Sequence, residues 1–287
     1  MDERSKQPCY VCGNSDFSPV DGTVRDIPEM PIFKCSDCGL VFLGSNSHID
    51  DSFYQDSNMY TNKPSWEEQL KVCRNDDVRR ANFLFPLTEG KDVLDIGCGA
   101  GGFLLHSKDS SSKVVGADLD SLYLDLIESK GINTFEDTSE IQDTFDVVTL
   151  FHVVEHLKDP KTFLQDIKDR LTKENSKIVI EVPNADDALL TVYENDNFKK
   201  FTYWGCHLNL FTEDSLIRLV KSIGLKVDQV SQIQRYPLSN HLYWMANGKP
   251  GGHNVLTQFN GAALNVLYEY VLSDMKACDT LLLTASV

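Results

Sequence analysis

Three glycines that follow an acidic residue have the spacing of a ligand-binding turn. Residues 93–103 read VLDIGCGAGGF, an apolar run that ends in Gly97, Gly99 and Gly101. Such a run predicts a buried parallel strand that turns into a helix. Glycine leaves no Cβ between the backbone and a ligand, and the N–H groups at the helix start face the turn. The turn therefore predicts a site for a small ligand.

Two acidic residues indicate which ligand suits this turn. A dinucleotide-binding turn has the pattern G-x-G-x-x-G and holds a pyrophosphate, whereas here the pattern is G-x-G-x-G and Asp95 precedes it. A carboxylate repels a pyrophosphate and attracts a cation. S-adenosylmethionine carries a sulfonium, an ammonium and no phosphate. Asp118 ends the next apolar run, where a carboxylate is placed to accept from ribose hydroxyls. The residues favour S-adenosylmethionine over a dinucleotide.

Three motifs in this order resemble those of class I S-adenosylmethionine-dependent methyltransferases: the glycine turn, Asp118, and residues 145–148 (FDVV) before Glu155 and His156. The resemblance covers roughly residues 90–235. It implies an α/β fold with a doubly wound, mostly parallel, Rossmann-like sheet of seven strands. The residues expected to bind the cofactor are Asp95, Gly97, Cys98, Gly99, Gly101, Asp118, Leu119, Asp137 and Phe151.

Apolar runs that alternate with helical patterns agree with this fold, because such alternation produces a parallel sheet covered by helices. The runs predict strands near residues 91–96, 113–118, 132–136, 145–151 and 176–182, a sixth at 225–234 and a seventh at 278–287. Helices are predicted near residues 101–108, 120–130, 160–171 and 213–222. An insertion at residues 236–277 therefore separates the last two strands.

Four of the eight cysteines form two C-x-x-C-G motifs: Cys9, Cys12, Cys35 and Cys38. Each motif lets two thiolates bind one metal ion, and two motifs complete a tetrahedral zinc site with no open position. Four unrelated cysteines or two disulfides are the alternatives. The pattern predicts a small N-terminal zinc ribbon over residues 1–45 in which zinc is structural. Ribbons in front of this kind of methyltransferase domain resemble those of deoxysugar methyltransferases.

Residues 46–89 are predicted to form a helical linker or lid before a methyltransferase domain at residues 90–287. Residues 50–60 are acidic and include Tyr54 and Tyr60, and residues 66–84 carry apolar side chains at helical spacing. In similar methyltransferases, helices before the first strand fold over the cofactor. Packing against the edge of the sheet is the alternative.

Four side chains are candidates for catalysis. Methyl transfer is an in-line displacement, and a hydroxyl acceptor benefits from a base. We predict His207 as that base because histidine titrates near neutral pH; a histidine bonded to loop backbone is the alternative. His152, Glu155 and His156 would share one face if their segment is helical. With His207 they resemble the metal sites of small-RNA 2′-O-methyltransferases and quinone O-methyltransferases, which implies magnesium as a possible additional cofactor.

The insertion and its flanks predict an anionic acceptor. No Asp or Glu occurs from residue 229 to 268, although the chain has 43 acidic residues. Basic and aromatic residues there suit a negatively charged sugar, and the loop of Gly248, Gly251 and Gly252 around Lys249 and Pro250 would bring N–H groups close to a phosphate. The apolar half of the insertion is expected to pack on the sheet. The residues predicted to bind the acceptor are Asn184, Arg235, Tyr236, His241, Lys249 and His253.

Residues 207–212 (HLNLFT) and the E-x-P-N motif at 181–184 resemble methyltransferases of surface-polysaccharide and antibiotic-sugar pathways. The resemblance implies methylation of a hydroxyl on a nucleotide-linked or polysaccharide-precursor sugar. The alternatives are a sugar C-methyltransferase, a metal-dependent RNA 2′-O-methyltransferase and a non-catalytic partner protein that binds S-adenosylmethionine. A net charge of −16 disfavours a nucleic-acid partner, because phosphate binding needs a basic surface.

Hydropathy gives an expectation about location. No apolar run reaches the length of a membrane span, and the first residues have no apolar core that resembles a signal peptide. We therefore expect a cytoplasmic protein without a membrane partner. The sequence does not indicate an oligomeric state.

Overall fold

The computed structural model describes residues 3–49 and 64–287. The strands are β1 (Phe17–Pro19), β2 (Ile32–Cys35), β3 (Val41–Leu43), β4 (Asp92–Ile96), β5 (Lys113–Ala117), β6 (Asn133–Phe135), β7 (Phe145–Phe151), β8 (Thr172–Pro183), β9 (Asn209–Leu210), β10 (Lys226–Ile233) and β11 (Thr280–Ser286). The α-helices are α1 (Trp66–Thr88), α2 (Gly102–Ser107), α3 (Leu124–Glu128), α4 (Pro160–Leu171), α5 (Ala188–Thr191), α6 (Asp196–Thr202), α7 (Glu213–Ser222), α8 (Leu238–Asn247), α9 (Gly252–Val255) and α10 (Ala262–Asp274). Within these ranges, no helix is long and apolar enough to cross a membrane.

Seven strands form one sheet in the order β10-β11-β8-β7-β4-β5-β6. β4 pairs in parallel with β5, where Asp95 lies opposite Gly116, and with β7, where Asp95 lies opposite Thr149. β5 pairs in parallel with β6. Parallel strands end at the same edge, so the segments after β4 and β5 lie close to each other. The predicted seven-stranded, mostly parallel α/β sheet is confirmed, including the last strand beyond the insertion.

Local sequence explains where three of the helices begin. α4 starts at Pro160, whose fixed φ and missing N–H suit the first helical position. α7 starts after Thr212, whose hydroxyl accepts from the N–H of Ser215 while the Ser215 hydroxyl accepts from the N–H of Thr212. α1 starts with the same reciprocal arrangement between Ser65 and Glu68. The predicted bounds of α4 and α7 match those of the structure.

The chain divides into two compact units, which we call the ribbon unit and the glycine-turn unit. The ribbon unit comprises Met1–His48, Val154–Lys161 and Glu181–Leu283, and the glycine-turn unit comprises Ile49–Val153, Thr162–Ile180 and Thr284–Val287. Within the ribbon unit, β3 pairs antiparallel with β9 and completes a second sheet, β1-β2-β3-β9. The ribbon predicted for residues 1–45 is therefore part of a larger unit.

The linker and the insertion are also described in part. Among the described residues of the predicted linker, α1 is the helix, and it belongs to the glycine-turn unit. Residues 50–63, with Tyr54 and Tyr60, lie outside the described residues. The insertion predicted at residues 236–277 folds as α8, α9 and α10.

Candidate active site

The turn after β4 requires glycine at three positions. Gly97, Gly99 and Gly101 have φ of 74°, 52° and 74°, a region that side chains with a Cβ rarely adopt. A Cβ at Gly97 would lie 2.4 Å from Cγ2 of Val153, and one at Gly101 would lie 2.8 Å from Ile127. A Cβ at Gly99 would meet no described atom within 4 Å. The turn therefore has room for a ligand next to Gly99.

Asp118 contacts this turn from the end of β5. Its Oδ2 accepts from the N–H of Gly99 at 2.7 Å, and its Oδ1 accepts from the N–H of Asp120 at 2.9 Å. Burial raises the pKa of Asp118, and the two backbone hydrogen bonds oppose that rise. A carboxylate offers about four lone-pair sites, so acceptor capacity remains for the ribose hydroxyls of a cofactor.

Asp95 places a buried carboxyl group at the end of β4. Its side chain is only 2% exposed, and its Oδ1 accepts from the hydroxyl of Thr149 at 2.7 Å. Burial raises the pKa of Asp95 to about 7, because the charged form has lost its water. A nearby cation stabilises the charged form. The open space at Gly99 and the two carboxyl groups of Asp95 and Asp118 thus fit S-adenosylmethionine.

The other predicted cofactor residues are of two kinds. Cys98 and Phe151 are buried side chains, the first in the turn and the second at the end of β7. Leu119 is 48% exposed, and Asp137 is exposed while its carboxylate accepts from the N–H of Ser139 at 2.8 Å. The exposed pair is accessible to a ligand, whereas the buried pair lies in the core. Their contacts with a cofactor remain predictions.

The start of α1, which the sequence analysis did not assign to the site, contacts the glycine turn. The indole Nε1 of Trp66 donates to the carbonyl of Ala100 at 2.8 Å. The hydroxyl of Tyr123 donates to the carbonyl of Pro64 at 2.8 Å. The available signal was the capping box at Ser65, which fixes the next residue as the first of the helix. This segment holds the backbone of the turn.

His156 and His207 form a second cluster, within the ribbon unit. Their rings meet edge to face with centroids 4.9 Å apart. Nδ1 of His156 lies 2.8 Å from the carbonyl oxygen of Cys206. A carbonyl only accepts, so Nδ1 carries the hydrogen and Nε2 of the neutral ring is an acceptor. The N–H of His207 donates to the carbonyl of Trp204 at 2.9 Å. The structure brings these two predicted catalytic residues together.

The hypothesis that His152, Glu155 and His156 share a helical face is wrong. Val154–His156 is a single 3-10 turn, and His152 precedes it with φ of 56°, outside the helical region. The side chain of Glu155 is fully buried. The sequence pattern did not reveal the positive φ, although histidine adopts it more often than most residues other than glycine.

The atoms gathered around His207 do not fit magnesium. Three candidate ligand atoms, from His156, Cys206 and His207, lie within 4.8 Å of one another. Burial raises the pKa of the Cys206 thiol well above its ordinary value, so its sulfur stays protonated and ligates poorly. Magnesium prefers octahedral oxygen ligands, and this group contains none. The donor set therefore gives the magnesium alternative no support.

Asn209 fixes the backbone that carries His156. Its Nδ2 donates to the carbonyl of Leu157 at 2.9 Å. Its Oδ1 accepts from Nη2 of Arg4 at 2.7 Å and from the hydroxyl of Tyr10 at 3.2 Å. Asn209 belongs to the motif at residues 207–212, which by itself predicts no structural role for this side chain. A polar residue between apolar ones was the available signal, since buried amides must be hydrogen-bonded.

The four predicted metal-binding cysteines converge. The Sγ atoms of Cys9 and Cys38 are 3.7 Å apart, and those of Cys12 and Cys35 are 3.5 Å apart. All four Sγ atoms lie within 4.8 Å of one another, and the four residues are free cysteines. Zinc–sulfur bonds of about 2.3 Å in a tetrahedron separate the sulfurs by about 3.8 Å. The cluster is compatible with zinc.

Two of the predicted acceptor residues have internal roles instead. Asn184 and His241 are 3% and 1% exposed. Nδ2 of Asn184 donates to the carbonyl of Cys278 at 2.8 Å, and Nδ1 of His241 lies 2.6 Å from the hydroxyl of Tyr268. Both side chains tie elements of the ribbon unit together, so we do not retain them as acceptor ligands.

The loop expected to face a phosphate uses its N–H groups internally. The N–H groups of Gly251 and Gly252 donate to Oδ1 of Asn240 at 3.0 and 3.3 Å. Asn240, eleven residues before Gly251, thus binds the N–H groups that were expected to face a phosphate. The sequence pattern did not reveal this contact. Exposed or half-buried side chains remain as candidates for the acceptor: Arg235, Tyr236, Lys249 and His253.

Comparisons with known proteins agree with the fold and the glycine turn. Residues 66–230 match the family described as "Methyltransferase domain". A ubiquinone biosynthesis O-methyltransferase of Aeromonas salmonicida is 26% identical over 166 residues, 53% of this chain and 69% of that protein. The protein of the same name from Pseudomonas aeruginosa is 25% identical over 209 residues, 67% of this chain and 89% of that protein. These relatives are not named sugar methyltransferases.

A solved structure supports the fold in the same way. The S-adenosylmethionine-dependent methyltransferase of Archaeoglobus fulgidus is 20% identical and superposes with a TM-score of 0.53, over 77% of this chain and 98% of that chain. The family match covers more than half of the chain and includes the strands β4 to β9 and the glycine turn. The chain therefore belongs to the methyltransferase-domain family and is an S-adenosylmethionine-dependent methyltransferase.

Proposed function

We propose that this enzyme transfers a methyl group to a hydroxyl oxygen of a small, negatively charged acceptor. The observation that carries the proposal is the contact between the rings of His156 and His207. The ring of His156 is held by the carbonyl of Cys206, and the backbone N–H of His207 is held by the carbonyl of Trp204. Imidazole titrates near neutral pH. A hydroxyl is the acceptor that most needs such a base, because its proton must leave as the new bond forms.

In this proposal, the residues of each unit have separate parts. S-adenosylmethionine supplies an activated methyl group when it is bound. Asp95 and Asp118 bind its cationic and ribose parts, and the glycines let the backbone lie close to it. His207 accepts the hydroxyl proton of the acceptor at a ring nitrogen. His156, held by the carbonyl of Cys206, restrains the ring of His207.

A sugar hydroxyl on a nucleotide-linked or polysaccharide precursor is the first acceptor class that we propose. The absence of acidic residues from 229 to 268 supports an anionic acceptor in a protein whose net charge is −16. Lys249 is exposed there, and the guanidinium of Arg235 lies 5.7 Å from the ring centroid of Tyr236. A second class, an aromatic hydroxyl, is favoured by the relatives named ubiquinone biosynthesis O-methyltransferase.

The cysteine cluster, in this proposal, holds one structural zinc ion. Four sulfur ligands at the observed separations leave no position for a substrate, so the metal has no direct part in methyl transfer. Its effect is on folding, because the metal cross-links the two C-x-x-C-G motifs.

The experiment is a methyl-transfer assay with labelled S-adenosylmethionine. The panel contains a nucleotide-linked sugar (UDP-glucose), an aromatic hydroxyl compound (3,4-dihydroxybenzoate) and an unstructured RNA. We expect the labelled methyl group on an oxygen atom of UDP-glucose or of 3,4-dihydroxybenzoate. Label in RNA alone, or a new carbon–methyl bond, contradicts the proposal.

A further inference from the structure

An exposed arginine of the ribbon lies next to the histidine cluster. Arg25 belongs to the segment between β1 and β2, and this segment is bound along residues 199–205. The N–H of Thr23 donates to the carbonyl of Lys199 at 3.3 Å, and the N–H of Arg25 donates to that of Tyr203 at 3.0 Å. Val24 between them is fully buried, so the alternation points Arg25 outward. The position of Arg25 is therefore fixed by its backbone.

The guanidinium of Arg25 rests on two aromatic rings. Its Cζ lies 4.3 Å from the ring centroid of Trp204 and 5.2 Å from that of Phe201. Among the described residues, no carboxylate forms an ion pair with it; the neighbouring Asp26 accepts from the N–H of Gly205 at 2.8 Å. Stacking covers the flat face of a guanidinium and leaves the N–H groups at its edge available. Arg25 is thus a preoriented donor that has no anionic partner within residues 3–49 and 64–287.

The stack continues to the proposed base. The ring of Trp204 lies 5.4 Å from the ring of His207, which lies 4.9 Å from that of His156. One indole ring therefore separates the guanidinium of Arg25 from His207. A small acceptor whose hydroxyl reaches His207 would bring an anionic substituent within range of Arg25.

We propose that Arg25 binds the anionic group of the acceptor, a phosphate or a carboxylate, so that the ribbon contributes to substrate recognition. Guanidinium groups bind both anions through two parallel N–H bonds. The inference rests on the proposed role of His207 at the acceptor. It assigns the ribbon a function in recognition beyond its metal-dependent folding. It also places the anion on the Trp204 side of the histidines.

The test compares Arg25→Ala, Arg25→Lys and a control, Arg218→Ala. Arg218 is a half-exposed arginine of α7 that pairs with Asp37 and Asp214 on the surface, so its loss leaves the acceptor region intact. The substrates form matched pairs: UDP-glucose with methyl glucoside, and 3,4-dihydroxybenzoate with catechol. The first pair reports phosphate recognition and the second carboxylate recognition.

With Arg25→Ala we expect the acceptor KM to rise about 10- to 100-fold for the charged member of the active pair, with little change for its neutral partner. Arg25→Lys should restore part of the affinity, since a lysine keeps the charge but not the paired geometry. Arg218→Ala should behave as wild type. An equal KM change for charged and neutral acceptors would show that Arg25 only supports Trp204, and would overturn the proposal.

A binding measurement separates this proposal from the proposed function. UDP and 3,4-dihydroxybenzoate are titrated while tryptophan fluorescence is followed, with Trp204→Phe to assign the signal. Binding that weakens in Arg25→Ala, in the absence of any methyl transfer, keeps the recognition site and rejects the hydroxyl methyltransferase. Methyl transfer that is unchanged in Arg25→Ala keeps the hydroxyl methyltransferase and rejects the recognition site. If neither probe nor any charged acceptor shows saturable binding, the recognition site is rejected.

Discussion

The imidazole rings of His156 and His207 lie 4.9 Å apart although they come from distant parts of the chain. One short segment explains the pairing. The carbonyl of Cys206 receives the ring N–H of His156, and the amide of Asn209 holds the carbonyl of Leu157. The segment that contains His207 thus also positions His156.

Asn209→Ala should disturb this arrangement without touching the glycine turn. The substitution leaves the carbonyl of Leu157 and one N–H of Arg4 without their buried partner, which costs about 1–3 kcal/mol of unfolding free energy. We expect a lower melting temperature and slower turnover, with the affinity for S-adenosylmethionine unchanged. Denaturant unfolding and calorimetry measure these quantities. Asn133→Ala, at an exposed position of the edge strand β6, is the control. A loss of cofactor affinity in Asn209→Ala would contradict the assignment.

Asp118→Ala should weaken binding of S-adenosylmethionine. The change removes the acceptor of the Gly99 N–H as well as the expected bonds to ribose, so we expect a loss of about 1.5–3 kcal/mol in calorimetry. Asp109→Ala, at an exposed carboxylate after α2, should bind as wild type. An unchanged affinity of Asp118→Ala would place the ribose elsewhere.

Asp95 should make the stability of the protein depend on pH. Its pKa in the folded protein is about 7, against an ordinary value of 3.8. Between these values the folded state holds a proton that the unfolded state has released, so the unfolding free energy falls as the pH rises through this window. Asp95→Asn removes this term. The unfolding free energy of the variant, relative to that of wild type, should therefore be higher at pH 8 than at pH 5.

Urea unfolding at several pH values measures that difference, with Asp109→Asn as a control that should follow wild type. Burial raises the pKa of Asp187 to about 8, so this residue also makes stability depend on pH. Because Asp187 is present in wild type and in Asp95→Asn, its effect cancels in the difference between them. Asp95→Asn should also bind S-adenosylmethionine more weakly, because the substitution removes the carboxylate charge that we propose to face the cation. A stability difference that does not vary with pH would contradict the assignment.

Cys35→Ser should release the proposed zinc. Three remaining thiolates bind zinc less tightly, and binding free energy here is folding free energy. Elemental analysis should find one zinc ion per wild-type chain and far less in the variant, together with a lower melting temperature. Cys73→Ser, at a half-buried position of α1 outside the cluster, should keep the metal. Freshly purified wild-type protein without zinc would exclude this role for the cysteines.

The sequence predicted the parts of the fold that depend on local pattern. Apolar runs and glycines predicted the strands of the sheet, and the turn at Gly97 was predicted because few other residues adopt its backbone conformation. Contacts between distant segments carry no such periodic signal. The two-residue strand β9 and its pairing with β3, the stack of Arg25 on Trp204 and the bonds from Asn240 to the glycine loop are of this second kind. These long-range contacts are seen only in the folded structure.

Methyl transfer to oxygen that depends on His207 is tested most directly with S-adenosylmethionine labelled by ¹³C in its methyl group. Wild type, His207→Ala and the exposed control His106→Ala are incubated with the active acceptor, and NMR of the product identifies the methylated atom. We expect an O-methyl product from wild type and His106→Ala, and turnover about 100-fold lower in His207→Ala with cofactor affinity unchanged. A methyl group on carbon, or full activity of His207→Ala, would contradict this mechanism.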